Sequence, residues 1–543
     1  MNRSTLSLFA AVTALAAVTG LATLTTPDPA GRPAGAPAPA RLPVERSSLA
    51  CPAPSSSEVA ETTYTSFTPA LQDGKTGDKA ADNADNADKS ADRAADKAEL
   101  KPSAATQDST TASPKKTDEK TDEKKDEKKD EAQTDAAKQP PAADKPVLST
   151  TAPGKPVSAD ADGADAPALI GLASGLLAPG WTTQQTTTVP AGGARGLLGV
   201  SCTTPDTDFW FPGTSTAENR RDYVHLTNPD DTAAVVDIEL YGPEGALKSQ
   251  LTDGIPVPAG SSVPVLLSTL TADPAASDVT AHVTTRSGRV GAVVRSAVDQ
   301  LGSDWLPAAT APAATLVLPG IPADATSVQL MAYAPGEDDA ELKIQLMGAN
   351  GTITPAVQQS IRVKSGMTAS ADLKDLTNGE AGSLLLSPAQ SSQATPVVAA
   401  LRVIRGSGEK QEVAFIPATG PVGEQATVAG NTAKGTTLSL TAPTEDAEVR
   451  VTASAGTEGG TPVSKTYKVK AGTTLAFAPP VPAGLKGTYA LTVQTLSGGP
   501  VHAARMLADP KDGIAMFTIQ TLSDDRGRVA VPEAEQDLSV LEK

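Results

Sequence analysis

The sequence has few residues of the kinds that usually carry chemistry. Of its 543 residues only 3% are aromatic, two are cysteines and three are histidines. A core must therefore be built from Val, Leu, Ile and Ala. Lys and Arg together number 45 against 63 Asp and Glu, which gives a net charge of −18. Because phosphate backbones bind to a basic face and no basic cluster occurs, nucleic acid is excluded as a partner.

Catalytic and cofactor-binding motifs are also missing. There is no His-Glu-x-x-His, no Gly-x-Ser-x-Gly and no phosphate-binding loop. His225, His282 and His502 lie in apolar strand patterns, and the first two could approach each other across one sheet. We predict no catalytic residue, no metal site and no cofactor. A carboxylate pair acting on envelope polysaccharide remains the enzymatic alternative, because the spacing of such a pair depends on the fold.

The N-terminus has the pattern of an export signal. Arg3 precedes an uncharged stretch, residues 4–26, which ends in small residues. Residues 1–26 are therefore either a cleaved signal peptide or, because the apolar part could cross a bilayer, a transmembrane anchor. Both interpretations predict an extracytoplasmic protein, secreted or anchored to the plasma membrane. Membrane contact would occur only through residues 4–26.

Composition divides the leading part of the chain. Residues 27–41 are a Pro/Ala spacer, and residues 42–71 carry Val, Tyr and Phe at strand-like spacing. Residues 72–165 are rich in acids and bases, as in "TDEKTDEKKDEKKDE", and contain almost no large apolar side chain. Such a segment buries too little apolar area to offset its backbone entropy, so we predict a disordered insertion. Residues 166–212 would then complete an N-terminal β unit.

The two cysteines flank this insertion. Cys51 precedes it and Cys202 follows it. In an exported chain two lone cysteines most often pair, so we predict a disulfide between them. The bond would hold the ends of the insertion together. It would also remove about 4–5 kcal/mol of unfolded-state entropy in the loop-closure model.

Beyond residue 212 short apolar-alternating segments are separated by Gly, Pro, Asn and Asp, which is typical of all-β domains. Three segments resemble one another: "YVHLTNPDDTAAVVDIELYGPEG", "SVQLMAYAPGEDDAELKIQLMGANG" and "TLSLTAPTEDAEVRVTASAGTEG". We predict repeats over 213–312, 313–420 and 421–530, with a tail over 531–543. Their size of about 105 residues favours an immunoglobulin-like β-sandwich, and two propeller blades per repeat is the competing arrangement.

Each repeat also contains a glycine at the same place. Gly260, Gly366 and Gly472 are spaced 106 residues apart. We predict that each lies at the turn of a β-hairpin, where a positive φ angle favours glycine. Gly192 or Gly193 would occupy the corresponding turn of the N-terminal unit, which would then be a fourth, degenerate copy.

Some larger and charged side chains recur along the repeats. We predict that Trp210, Trp305 and Phe415 pack between units, with a sugar-stacking platform as the alternative. Strand arginines at the ends of the repeats, Arg295, Arg402 and Arg505, are predicted to cover an apolar edge or pair with an acid. Acids recur at one turn, where solvated turn residues are expected and a calcium site is the alternative: Asp230, Asp231, Glu337, Asp338, Asp339, Glu445 and Asp446.

Two stretches, "LPVERSSLACPAPSSSEVAETTYTSF" and "GLLGVSCTTPDTDFWFPG", resemble an uncharacterised family of exported proteins from high-GC Gram-positive bacteria, a domain of unknown function. The resemblance runs from about residue 42 to 530 and implies no catalytic residues. We expect a non-enzymatic scaffold or interaction protein of the cell envelope, whose partner is an envelope protein or a cell-wall polymer. The alternatives are an enzyme or accessory subunit acting on envelope polysaccharide, and a ligand-binding module.

Overall fold

A computed structural model describes residues 40–70, 96–104, 145–392 and 394–531. These residues form 38 β-strands and three single 3-10 turns, and no α-helix occurs among them. The strand pairings described for the sandwich sheets are antiparallel, as for β10 with β16 and β11 with β17. The all-β prediction is confirmed. The turns are Gly175–Leu177, Leu267–Thr269 and Gly408–Lys410.

Residues Pro43–Gly527 form one compact unit built from pairs of facing sheets. The first sandwich contains the strands β2 (Arg46–Cys51), β3 (Glu61–Phe67), β4 (Lys97–Pro102), β5 (Leu148–Thr150), β6 (Val157–Asp162), β7 (Leu169–Ser174), β8 (Thr182–Val189) and β9 (Gly196–Ser201). Its sheet I has the order β2-β7-β4-β5, and its sheet II has the order β6-β3-β8-β9. Leu49 and Leu100 of sheet I pack against Tyr64 of sheet II.

The second sandwich follows directly. Its strands are β10 (Asp208–Thr214), β11 (Arg220–Thr227), β12 (Ala234–Gly242), β13 (Gly245–Ala246), β14 (Ile255–Val257), β15 (Ser262–Leu266), β16 (Val279–Ser287), β17 (Gly291–Val298) and β18 (Gly302–Leu306). Sheet I has the order β10-β16-β12-β13, with β14 also on β12, and sheet II is β15-β11-β17-β18.

The third sandwich repeats this arrangement. Its strands are β19 (Leu316–Ile321), β20 (Ala325–Tyr333), β21 (Ala340–Gly348), β22 (Gly351–Ile353), β23 (Ser360–Val363), β24 (Thr368–Lys374), β25 (Gly382–Pro388), β26 (Val398–Arg405) and β27 (Glu412–Pro417). Sheet I is β19-β25-β21-β22 with β23 on β21, and sheet II is β24-β20-β26-β27.

The fourth sandwich adds one strand to the same plan. Its strands are β28 (Gln425–Asn431), β29 (Thr436–Ala442), β30 (Ala447–Gly456), β31 (Gly459–Thr461), β32 (Val463–Val469), β33 (Thr473–Phe477), β34 (Ala483–Lys486), β35 (Tyr489–Gly498), β36 (His502–Ala508) and β37 (Phe517–Leu522). Sheet I is β28-β35-β30-β31-β34 with β32 on β30, and sheet II is β33-β29-β36-β37. Separately, β1 (Ala40–Pro43) pairs with β38 (Arg528–Val531).

The four sandwiches contact one another in a closed cycle. Their last strands β9, β18, β27 and β37 lie side by side in chain order, and β37 lies against β9. The first strand of each sheet I packs on sheet II of the next sandwich: β2 on β17, β10 on β26, β19 on β36, and β28 on β8. Each sandwich therefore buries its outer faces against two neighbours, and four last strands meet at the centre.

The disulfide prediction is confirmed. Cys51, at the end of β2, is bonded to Cys202, directly after β9, across a sequence separation of 151 residues. Both cysteines lie in the core of the first sandwich. The bond therefore ties the first strand of this sandwich to its last one.

The prediction that 72–165 is disordered throughout is wrong. Three strands of the first sandwich lie within it, namely β4, β5 and β6. Their alternating Ala98, Leu100 and Leu148 enter the core, which offsets the entropy that the flanking charged sequence cannot offset. Residues 72–95 and 105–144 of the predicted insertion, the signal segment 1–26, nearly all of the spacer 27–41 and nearly all of the tail 531–543 lie outside the described residues.

The predicted hairpins at the repeated glycines are also wrong. Gly260, Gly366 and Gly472 do have φ angles of +61°, +69° and +67°. However, the strands on either side pair in different sheets: β14 joins sheet I and β15 joins sheet II, and the other sandwiches follow the same rule. The glycine turn is thus an arch between sheets. In the first sandwich the arch glycine is Gly154, whereas Gly192 lies in the β8–β9 hairpin.

One predicted boundary also needs correction. The division between 166–212 and 213–312 falls inside β10, which pairs with β16 and so belongs to the second sandwich. The sequence "DFWFPG" contains apolar residues on both faces of this strand, because one face enters the core and the other meets the third sandwich.

Candidate functional site

A polar cluster joins the last strands at the centre of the cycle. Asp304 of β18 accepts hydrogen bonds from the backbone N–H of Gly199 (3.1 Å) and from the Thr518 hydroxyl (3.1 Å). Gln520 Nε2 donates to Thr518 Oγ1 at 3.1 Å. Burial raises the pKa of Asp304 well above its usual range. The buried carboxyl group of Asp304 therefore connects the first, second and fourth sandwiches through hydrogen bonds.

The third sandwich contributes Glu412 of β27. Its carboxyl group is buried against backbone, since a Cβ at Gly302 would lie 2.7 Å from Oε1. Arg195 Nε lies 3.7 Å from Oε2. Burial raises the pKa of Glu412 to about 8, although Arg195 acts in the opposite direction. Asp304 and Glu412 are enclosed, so this centre closes the cycle and presents no acid–base pair to solvent.

A second cluster lies between the second and third sandwiches and reaches the surface. Trp210 of β10 stacks on His282 of β16, with ring centroids 3.6 Å apart and planes 8° apart. Its other neighbour is Tyr333 of β20, at 5.6 Å, and Tyr241 of β12 lies 4.6 Å from Tyr333. Four rings from two sandwiches are thus in contact in a protein that has few aromatic residues.

Two exposed carboxylates border these rings. His282 Nε2 lies 2.9 Å from Asp208 Oδ1, and its Nδ1 lies 3.6 Å from Glu239 Oε2. The Tyr241 hydroxyl donates to Glu239 at 2.8 Å. Burial and then the hydrogen bond to Glu239 raise the pKa of Tyr241 above its usual range, so the hydroxyl remains a donor. Both acids expose 59% of their side chains. We call these residues the aromatic seam cluster: Asp208, Trp210, Glu239, Tyr241, His282 and Tyr333.

The aromatic seam cluster breaks the repeat symmetry. Trp210, His282 and Glu239 lie side by side on three adjacent strands. The corresponding rows are Val317, Leu385 and Gln345 in the third sandwich, and Thr427, Thr492 and Thr452 in the fourth. Neither row carries an aromatic or a charged side chain. Sequence reasoning singled out Trp210 and His282 individually but did not join them; alignment of the three repeats would have shown both as departures.

The predicted packing residues lie at seams, in two structural classes. Trp305 is fully buried against Leu198 and Val200 of the first sandwich. Phe415 is buried in the core of the second sandwich. Trp305 and Phe415 occupy corresponding positions on β18 and β27. Trp210 lies on a first strand in the other sheet, so it is no counterpart of theirs.

The three strand arginines are not equivalent, and they lie on the penultimate strands. Arg295 pairs with Tyr223, and Arg402 pairs with Gln329, both on the outer face of sheet II. Arg505 instead pairs with the core residue Leu438. A one-residue shift moves a strand side chain to the opposite face, so Arg505 points into its own sandwich.

Arg295 and Arg402 differ in their surroundings. The guanidinium of Arg295 lies over the Tyr223 ring of its own sandwich, 5.6 Å from the ring centroid. Arg402 donates to Gln329 Oε1, and Gln329 donates in turn to Asp278 of the second sandwich at 3.2 Å. Arg402 therefore lies at the seam between the second and third sandwiches.

The turn acids bind neighbouring turns. Asp230 pairs with Arg289 at 2.9 Å, and Asp339 pairs with Arg362 at 2.8 Å. Asp446 accepts a hydrogen bond from the backbone N–H of Ala471 at 2.8 Å. Among residues 40–70, 96–104 and 145–531, apart from residue 393, no three His, Cys, Asp or Glu side chains are grouped to hold a metal ion.

His225 and His282 do not meet across one sheet. His225 lies on β11 in sheet II, against Trp305, whereas His282 lies on β16 in sheet I. Burial, and to a smaller extent the charge of Arg295, lowers the pKa of His225 to about 3. Burial also lowers the pKa of His502 to about 4. His225 and His502 are therefore neutral packing residues.

Residues 157–480, more than half of the chain, match a family of unknown function, DUF5719. The chain belongs to this family. The match spans most of the four-sandwich unit, including the aromatic seam cluster. No curated protein and no solved structure shows significant similarity. The described part of this DUF5719 protein contains no apolar helix of membrane-spanning length.

Proposed function

We propose that this DUF5719 protein is a non-enzymatic interaction protein of the cell envelope. Its four sandwiches would form a rigid body held on the outer side of the plasma membrane. The aromatic seam cluster would bind a basic segment of an envelope protein. The observation that carries this proposal is the departure of this one seam from the repeat, with two exposed carboxylates beside stacked rings.

The charge of the surface supports a basic partner. Asp208 and Glu239 are largely exposed, and Tyr241 holds its hydroxyl on Glu239. A Lys or Arg side chain could pair with either carboxylate while its stem covers the half-buried Tyr241 ring. The net charge of −18 would speed the approach of such a partner at low salt.

The enclosed centre supports a scaffold. Asp304 and Glu412 are each buried by strands from other sandwiches, and Phe415 and Trp305 fill the seams. Because interface groups that are held rigid lose little entropy on association, such a body suits a binding role. Export is supported by the N-terminal sequence pattern and by the disulfide, since disulfides persist in oxidising compartments.

Binding to isolated cell envelopes tests the proposal. The full chain should sediment with envelopes, and the retained fraction should fall several-fold in Glu239→Gln and in Tyr241→Ala. The matched control variant is Gln345→Ala, at the position of the third sandwich that corresponds to Glu239, and it should bind as the unmodified chain does. Protease treatment of the envelopes should abolish binding. Retention after that treatment would contradict a protein partner and favour a wall polymer.

Fractionation of cells tests the location. Detection of residues 200–543 in the medium or on the outer face of the membrane is expected. Recovery of the protein in the cytosol, with Cys51 and Cys202 reduced, would contradict the proposal.

A further inference from the structure

The fourth sandwich contains a buried cation in its core. Arg505 of β36 lies between Leu438 and Gln520 on the adjacent strands and is fully buried. The side chains around it belong to the apolar core of the fourth sandwich, which includes Leu440 and Tyr489. A buried charge costs several kcal/mol unless it is paired.

Within the part of the chain that the structure describes, no group pairs with this charge. Among the described residues, none accepts a hydrogen bond from Nε, Nη1 or Nη2 of Arg505, and the Tyr489 hydroxyl is also buried without a partner. Burial lowers the pKa of Arg505 to about 10, so the guanidinium remains protonated at neutral pH. Gln520, which lies beside Arg505 on β37, is linked through Thr518 to the carboxyl group of Asp304, and burial raises the pKa of that carboxyl, which favours its neutral form.

Two other guanidinium groups in the unit have acceptors. Arg220 donates to Asp222 Oδ1 at 2.9 Å and to the Gly213 carbonyl at 2.6 Å. Arg405 donates to both oxygens of Asp324. Arg505 differs from both, since none of its nitrogens has an acceptor among the described residues.

The fold itself does not require an arginine at this position. The residues that occupy the place of Arg505 in the second and third sandwiches are Val294, paired with Val224, and Leu401, paired with Leu330. Both are core residues. An aliphatic side chain would fill this position in the core. The buried charge of Arg505 therefore needs a group that compensates it.

We propose that a small monovalent anion of the chloride class binds inside the fourth sandwich, between the Arg505 guanidinium and the Tyr489 hydroxyl. Both groups are hydrogen-bond donors at neutral pH, since burial raises the pKa of Tyr489 to about 12. The anion would neutralise the guanidinium and satisfy both donors. The inference does not depend on the proposed envelope partner.

Anomalous diffraction from crystals of the full chain in sodium bromide is the direct test. A bromide peak within hydrogen-bond distance of the Arg505 nitrogens and the Tyr489 oxygen is expected. Bromide peaks only elsewhere, or none, would overturn the proposal and leave Gln520 Oε1, which also lacks a partner, as the acceptor for Arg505.

Thermal unfolding provides a second measurement at constant ionic strength. Replacing sodium gluconate by sodium chloride should raise the midpoint by about 2 °C or more, because a ligand that binds only the folded state stabilises it. Arg505→Met should lose this difference, whereas the control Arg402→Met should keep it. Equal midpoints of the unmodified protein in both salts would overturn the proposal. If Arg505→Met does not fold, the bromide experiment on the unmodified chain decides.

Discussion

The seam between the second and third sandwiches and the seam between the third and fourth use the same strands in the same order, with different chemistry. The first contains Trp210, Tyr333 and the charged Arg402. At the second, the place of Tyr333 is taken by Thr441, whose hydroxyl bonds to Ser383 at 2.7 Å. The order of the strands therefore determines which strands meet at a seam, but it does not determine the side chains that they carry there. Both seams contain a buried ring beside a guanidinium, Phe415 with Arg220 and Phe517 with Arg405, so the stacked rings of Trp210, His282 and Tyr333 are the feature that distinguishes the first seam.

Removal of the buried ring at either seam is expected to have the largest effect. Phe415→Ala in the first seam and Phe517→Ala in the second should each lower the free energy of unfolding by about 3–5 kcal/mol, because both rings are fully buried. Urea denaturation measures the loss, and Leu251→Ala, at an exposed site, is the control. If the free energy of unfolding fell by less than about 1 kcal/mol in Phe415→Ala but not in Phe517→Ala, the first seam would have collapsed into the cavity left by the ring. The two seams would then differ in their packing as well.

Titration should distinguish the carboxyl groups at the centre of the cycle from groups at the seam between the third and fourth sandwiches. Burial raises the pKa of Glu412 to about 8 from its ordinary value of 4.5. Below pH 4.5 the Glu412 carboxyl is protonated in both the folded and the unfolded chain. Above pH 4.5 this carboxyl ionises first in the unfolded chain, so the free energy of unfolding falls until about pH 8. The loss from this group is on the order of 1.4 kcal/mol per pH unit within that window.

Glu412→Gln should remove this component of the pH dependence, as measured by urea denaturation between pH 5 and 8. Ser383→Ala, which removes no titratable group from the seam between the third and fourth sandwiches, should leave the pH dependence unchanged. An identical pH dependence in Glu412→Gln and in the unmodified chain would assign the effect to Asp304 and the other buried acids.

Matched glycines at the two seams should give a smaller difference. Gly213 and Gly320 have φ angles of +94° and +86° on the first strands β10 and β19. A Cβ would meet the flexible Met331 Cε at 2.5 Å in the first case and the Ala504 Cβ at 2.7 Å in the second. Gly213→Ala should cost about 1–2 kcal/mol from backbone strain, and Gly320→Ala about 1 kcal/mol more, because Ala504 cannot move away. Equal thermal midpoints for the two variants would contradict this difference.

Local pattern predicted much of the fold, and distant pairing determined the rest. Alternation along the strands and the 106-residue spacing of Gly260, Gly366 and Gly472 predicted the β class and the repeated unit. The same spacing could not show that the strands beside each glycine pair in different sheets, because their partners lie elsewhere in the chain. The face of Arg505 depends on a single register step.

For a related reason, the sequence could not show that the residues of the aromatic seam cluster contact one another. Trp210, Glu239 and His282 come from three strands of one sandwich, and Tyr333 comes from the next. No local motif joins them. The closed cycle likewise needs the contact of β37 with β9, whose residues are more than three hundred positions apart.

The smallest effects should come from the hydroxyl pair that both seams share. The Thr368 hydroxyl donates to Thr280 at 3.0 Å in the first seam, and the Thr474 hydroxyl donates to Ser383 at 3.0 Å in the second. Ser383 also accepts from the backbone N–H of Gly320 at 3.1 Å. Thr280→Val should therefore cost about 1 kcal/mol, and Ser383→Ala somewhat more, because it leaves that buried N–H without an acceptor.

Urea denaturation of both variants measures this difference, and the double-mutant cycle of Ser383→Ala with Thr474→Val isolates the coupling between the two hydroxyls. A coupling energy near zero would mean that the two side chains contribute to packing and that the hydrogen bond between their hydroxyls adds no stability. The two seams would then differ in their hydrogen bonds as well as in their rings, and the conserved strand order alone would account for their common geometry.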